Sequence, residues 1–402
     1  MRGFLQAALD AATSAGATYA DVRGVESTTE SLSVTGPTVE ALERSDSVGF
    51  GVRVIADGAW GHAASSVLDP SEAATVALRA VEIARASATA IERPVQLVPE
   101  PAHRAQWSSP VAIDPLEVPL ETKVGILTGA TAAMARVPGL HLARGALDVL
   151  KQTSWFLSSE GSDIEQTVTH TSAGIEATAV DGSDVQHRSY PASTRGHLGA
   201  AGFELVEELD LEGNAERTAE EAVALLSAPE CPDVVTTLVL DGHQVMLQVH
   251  ESVGHPTELD RVLGMEAAFA GTSFVGVPDV GSLRYGSDIV NITSDATVEG
   301  GIGTFAYDDE GVEAQRVDLV RDGVLVGFQS SRETAAATGN DRSNGTMRAE
   351  GWENFPLIRM TNINLLPGAG SFEDLLADVD RGIFMATNKS WSIDDKRKNF
   401  QF

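Results

Sequence analysis

Between Tyr19 and Ser65 the chain is written mostly in alternation. The runs YADVRGVES, ESLSVTG, TVEALERS and SVGFGVRVIADGAWGHAAS alternate apolar with polar residues or are rich in β-branched ones, with glycine and serine between them. A period of two sends successive side chains to opposite faces, so such runs are committed to a sheet. A helical period precedes them in MRGFLQAALDAATSAG and follows them in DPSEAATVALRAVEIARASA. The second helix opens on Asp-Pro-Ser-Glu, which has N-capping chemistry. Residues 1–92 are therefore expected to form a sheet flanked by helices.

Proline-dense ERPVQLVPEPAHRAQWSSPVAIDPLEVP has no sustained period and reads as a linker over residues 93–118. Residues 119–230 begin with a helix from about Leu120 to Ala135. LHLARGALDVLKQTSWFLSS, DIEQTVTHTSAGIEATAVD and DVQHRSYPAST then read as an antiparallel meander. LVEELDLEGNAERTAEEAVALLSA reads as a helix. In residues 231–402, VVTTLVL reads as a short buried strand, and Asp241 is placed to N-cap the helix starting at His243. Strands and glycine turns follow: DLVRDGVLVGF, with Asp322-Gly323 as a hairpin turn, then LIRMTNINLLPG, RGIFMATN and KSWSIDDKRKNFQF. No repeat of fixed period is visible. The predicted class is α+β: an N-terminal α/β sheet-and-helix domain, then a mostly antiparallel β domain carrying one short helix.

Charge narrows the partners. Asp plus Glu number 58 against 28 Lys plus Arg, for a formal net charge of −30. Such a surface repels phosphate backbones and anionic membranes, so neither nucleic acid nor membrane is expected. No stretch is apolar and long enough to span a bilayer, and the N-terminal helix carries Gln6 and Asp10 within its apolar run, unlike a secretory leader. With one cysteine, Cys231, no intrachain disulfide is possible, which fits a cytoplasmic location. No glycine-rich phosphate loop appears at a strand-to-helix turn, which argues against a nucleotide-binding enzyme.

Chemistry concentrates in HESVGHPTELD, residues 250–260. Two histidines on one helix make half of a zinc site, and H-E-x-x-H works because residues i and i+4 share a face. Here the step is five residues. At about 100° per residue, His250 and His255 would diverge by about 140° on an unbroken α-helix. Either a π turn, which closes i to i+5, or an end to the helix at Gly254 brings them together. Glu251 would then serve as general base. Glu258 and Asp260 are candidates for a ligand oxygen or for a partner that fixes a histidine tautomer. His243 lies two turns before His250 and is a weaker candidate. His170, His187 and His197 read as structural, as does the acidic turn Asp308-Asp309-Glu310-Gly311.

HESVGHPTELD resembles the H-E-x-x-x-H-x-x-E-x-D motif of the TldD/PmbA family of metallopeptidases. YADVRG, AYDDEGVEAQRVDLVRDGVLVGF, GTMRAEGWENFPLIRMTNINLLPG and KSWSIDDKRKNFQF follow the family's order and spacing. The resemblance implies a Zn2+-dependent peptidase that cuts unfolded or flexible peptides inside a closed dimer, formed with itself or with a paralogous subunit. It implies His250 and His255 as zinc ligands, Glu251 as base, and a substrate groove along residues 348–362. Within that groove Arg348, Arg359 and Asn362 would bind the peptide. The family's third ligand is a cysteine in a glycine-rich segment near the C-terminus, which has no counterpart before Phe402. The expectation is therefore a chain shortened at its C-terminus, with any metal held weakly or completed by water or a carboxylate. A natural short homologue completed by Glu258 or Asp260 is the other possibility. Cys231 is not expected to substitute. An intervening strand of about eight residues covers ~26 Å and the returning helix recovers only ~12 Å, leaving the thiol on the order of 10 Å or more from His250. A non-catalytic peptide-binding or scaffold subunit of the same fold is the alternative reading.

Overall fold

The computed structural model describes residues 1–192, 196–269, 271–394 and 396–401. Its framework is one eight-stranded sheet. Helix α1 (Arg2–Ser14) leads into β1 (Tyr19–Thr35), β2 (Thr38–Ala56) and β3 (Ala59–Ser65), followed by α2 (Pro70–Ala88). Asp69 caps α2 by accepting from the Ser71 N–H, and Pro70 opens the first turn. The linker then contributes β4 (Arg104–Ser108), an edge strand that the proline density concealed. Helix α3 (Leu120–Met134) precedes β5 (Leu140–Ser158), β6 (Asp163–Asp181), β7 (Asp184–Tyr190) and β8 (His197–Gly199). The order is β3-β2-β1-β5-β6-β4, with β7 and β8 also paired to β6, and only β4–β6 is parallel among these pairs. Because β1 pairs with β5 over most of its length, the sheet runs continuously across the linker.

The expected single helix after β8 is two, α4 (Glu204–Glu208) and α5 (Leu211–Leu225). Between them Asp210 adopts the left-handed conformation, φ 44°, ψ 61°, and caps α5 by accepting from the Gly213 N–H. Asp tolerates that region better than most residues, so the break falls on it.

Alternation gives the sheet two uses. Even positions of β1 and β2 and odd positions of β5 face the helices: Val22, Val52, Val54 and Leu157 pack against α1 and α2, while Leu32, Val34, Leu147 and Val149 pack in the cluster built on α3 and α5. The other parity carries Asp21, Arg23, Gly49, Gly51 and Arg53, and residues 300–360 pack onto it. Gly49 is required there because a Cβ would lie 2.3 Å from the Trp352 ring. Ionic contacts weld this seam. Arg53 pairs with Asp21 at 2.7 Å and Glu310 at 3.1 Å, stacked over Trp60; Arg332 pairs with Glu160 at 2.7 Å. The turn around Asp308 is structural in this sense: Asp308 accepts from the Glu310, Val312 and Met347 N–H groups.

Beyond the sheet, regular structure is short. Strand β9 (Thr237–Leu240) leads into α6 (Gly242–Val249), the motif and α7 (Leu259–Val262). Strands β10 (Ile292–Asp295), β11 (Arg316–Arg321), β12 (Val324–Leu325) and β15 (Asn362–Leu365) make a four-stranded antiparallel sheet, and β13 (Met347–Arg348) pairs with β14 (Leu357–Ile358). Asp322 and Gly323, φ 49° and 75°, form the hairpin turn. Helix α8 (Phe372–Ala377), β16 (Gly382–Met385), β17 (Ser392–Ile393) and β18 (Phe400–Gln401) complete the chain. The run VVTTLVL gives only the four residues of β9, largely exposed rather than buried, because β16 is its one neighbour in the sheet. Among the described residues, no helix is long and apolar enough to cross a membrane.

Candidate metal centre

Asp241 accepts from the His243 N–H and starts α6. At His250 the α-helix passes into a π turn over His250–Gly254, closed by the His255 N–H donating to the His250 carbonyl. That i to i+5 bond is the first of the two geometries open to the sequence, and it realigns the histidines. Two neighbours hold it. The Gln329 side-chain amide donates to the Gly254 carbonyl at 2.8 Å, and Thr257 Oγ1 donates to the Val253 and Gly254 carbonyls. Gly254 is needed for approach rather than for φ, since a Cβ there would lie 2.0 Å from Met360 Sδ.

His250 Nε2 and His255 Nε2 consequently face each other at 3.1 Å, rings nearly perpendicular. Glu251 joins them: one ligand atom from each of the three lies within 4.8 Å of the others. Two imidazoles on tetrahedral zinc, each at about 2.0–2.1 Å, would hold their nitrogens roughly 3.3 Å apart, so the observed spacing fits that ion. Tautomer chemistry agrees. Glu258 Oε2 accepts from His255 Nδ1 at 2.9 Å, which leaves the Nε2 lone pair facing His250. Burial holds His255 neutral down to about 4, reinforced by Arg261. The same direction applies to His250. Nearly half of its side chain meets solvent, but the atoms packed behind the ring and the facing His255 both disfavour its charge.

Behind His255 runs a buried chain of charges. Glu258, fully buried, binds Arg261 at 2.9 Å; burial pushes the carboxyl up and Arg261 opposes this. Glu266 faces Arg261 at 3.6 Å and Arg359 at 2.9 Å. Asp260 turns away from the histidines and accepts from the Arg261 and Ile358 N–H groups, tying the motif to β14. Burial, with Glu266 next, lifts Asp260 to about 7. Asn362 is spent within the fold: its amide donates to the Asp295 carbonyl and Thr304 and accepts from the Gly303 N–H. Arg348 sits on β13 near Asp309, and its guanidinium makes no hydrogen bond or ion pair among the described residues. Partly buried His243 and exposed Cys231 lie outside the cluster.

Sequence reasoning missed Arg261, Glu266, Gln329 and Arg397. Glu258 and Arg261 stand three residues apart at the start of a helical turn, a pairing signal that was available. Gln329 and Arg397 come from remote segments and carry no local signal.

Comparison with known proteins places these residues in a family. Three consecutive family models match: "PmbA/TldA metallopeptidase domain 1" over residues 20–88, the "central domain" over 113–226 and the "C-terminal domain" over 235–402. A metalloprotease of Methanothermobacter thermautotrophicus is 31% identical over 96% of this chain and 80% of its own length. A zinc metalloprotease TldD homolog of Saccharolobus solfataricus is 28% identical over 37% of this chain and 32% of its own. The crystal structure of TldE from Thermococcus kodakarensis superposes with a TM-score of 0.71 at 18% identity, covering 98% of this chain and 84% of that one, a likeness of fold.

Proposed function

The chain belongs to the PmbA/TldD metallopeptidase family, and from that premise we propose that it is a zinc-dependent peptidase acting on unfolded or flexible peptides. The observation that carries the reading is the facing pair of imidazole nitrogens at 3.1 Å beside the buried carboxylate of Glu251, whose Oε1 lies 3.8 Å from His250 Nε2. His250 and His255 would hold the metal, and zinc bound there would supply Lewis acidity for polarising a carbonyl and acidifying water. Glu251 accepts a proton from the attacking water and returns it to the leaving amine. Glu258 fixes the His255 tautomer, and Arg261 and Glu266 keep Glu258 in place. Arg348, Arg359 and Asn362 border the peptide groove. Arg348 offers its guanidinium to a peptide carbonyl or carboxylate, Arg359 does so while held by Glu266, and Asn362 shapes the wall through its own bonds. The working form is proposed to be a dimer, with itself or with a paralogous subunit.

The test is hydrolysis of an unstructured peptide by the zinc-loaded chain. Glu251→Gln should keep its zinc and lose about 10²–10⁴-fold in kcat. Cleavage by that variant at the unaltered rate would overturn the reading.

A further inference from the structure

One cation reaches Glu251 from far along the chain. Arg397 Nη1 lies 3.4 Å from Glu251 Oε2, with only 15% of the arginine side chain exposed. Its neighbours Lys396 and Lys398 both point to solvent. Of three consecutive cations, only the middle one is turned inward, and the local backbone is arranged for this. Asp394 braces the turn between β17 and β18: its carboxylate accepts from the Lys398 N–H and from the Asn399 side chain, and its carbonyl accepts from the Arg397 N–H. Arg397 itself adopts φ +59°, a conformation disfavoured for any residue with a Cβ and kept where the surroundings enforce it.

The two carboxylate oxygens of Glu251 face different neighbours. Oε1 lies 3.8 Å from His250 Nε2, and Oε2 faces Arg397. Oε2 is buried and accepts no hydrogen bond among the described residues, so the guanidinium holds it through charge. One oxygen is thus pinned by charge, which leaves Oε1, the oxygen on the His250 side, in a fixed direction to accept a proton.

We propose that Arg397 is a positioning residue, delivered by the turn that Asp394 braces, that holds Oε2 of Glu251 so that Oε1 stays directed at His250. This rests on the reading of Glu251 as general base. With Arg397 replaced by an uncharged side chain, nothing else of opposite charge among the described residues lies within 4 Å of Oε2, and the carboxylate is free to rotate and take Oε1 away from His250.

The contact is tested first without catalysis. Hydrogen exchange of the 394–401 segment is measured in the zinc-loaded wild type, Arg397→Met, Glu251→Gln and the double variant. Each single change should speed exchange about three- to tenfold, and the double variant no further. Multiplying effects would overturn the proposal. Kinetics on an unstructured peptide then read the role. Arg397→Met should lower kcat by about 10²-fold, with KM within about twofold and zinc content unchanged, and Arg397→Lys should recover most of the loss. Equal losses in the Met and Lys variants, a loss confined to KM, or lost zinc would each overturn it. A wild-type chain that cleaves no peptide would instead sink the peptidase reading, and the exchange cycle alone would then decide whether Arg397 holds Glu251.

Discussion

The sheet half and the metal-centre half of this chain are stabilised by opposite means. In the sheet half, long alternating strands bury two large apolar clusters against α1, α2, α3 and α5. In the other half the apolar clusters are small, around Leu259 and Leu319. The interior there is filled instead by Glu258, Asp260, Arg261, Glu266, Asp308 and Glu310. Apolar burial is non-directional and tolerates error. Charged networks fix positions but fail sharply when one member is lost. The site lies where position matters, and the sheet supplies the stability that its neighbour forgoes.

The largest effect should come from breaking the seam where the halves meet. Glu310→Ala removes a partner from buried Arg53 and an acceptor from the Arg332 N–H. It should cost about 3–5 kcal/mol in denaturant unfolding. A loss below about 1 kcal/mol would show that the seam is not what joins the halves. Next comes the apolar core. Leu147→Ala, at a fully buried position beneath α3, should cost about 2–5 kcal/mol and leave zinc affinity unchanged; an equal fall in zinc affinity would erase the division between the halves. The converse is Glu258→Gln. It should weaken zinc binding about 10–100-fold by loosening the His255 tautomer, with a smaller change in overall stability, as read by metal titration alongside unfolding.

The smallest effect is a pH slope. His62 and His170 lie within the sheet half and are both lowered to about 4, chiefly by burial, with Arg23 and Arg348 next. Folded, they stay neutral; unfolded, they bind protons near their ordinary value of about 6.5. Their contribution is complete above 6.5 and is lost as pH falls toward 4. Replacing both by Gln should flatten the stability profile across that window, and an unchanged slope would assign it elsewhere.

The same contrast governs what could be read from sequence. The long strands and α1, α2 and α3 were legible because alternation and capping are local. The break at Asp210 was not, because it hangs on one residue's tolerance of positive φ. Nor was the exposure of β9, which depends on how many partners a strand finds. At the centre, the spacing of His250 and His255 required a π turn or a helix end. The choice was made by Gln329 and Met360, distant residues that satisfy the Gly254 carbonyl and crowd its Cα. Glu258 was singled out but its role was left open, and its link to His255 Nδ1 appears only in three dimensions. Asn362 had the right chemistry for peptide backbone, yet its amide is engaged by Asp295, Gly303 and Thr304, which lie 58 or more residues away in the chain.

Zinc titration of the purified chain with parallel His250→Ala, His255→Ala and Glu251→Gln variants tests the π-turn centre most directly. One zinc per chain should bind to the wild type and to Glu251→Gln, and either histidine change should abolish it. No zinc on the wild type, or equal binding by all four chains, would contradict the assignment of His250 and His255 as the pair that holds the metal.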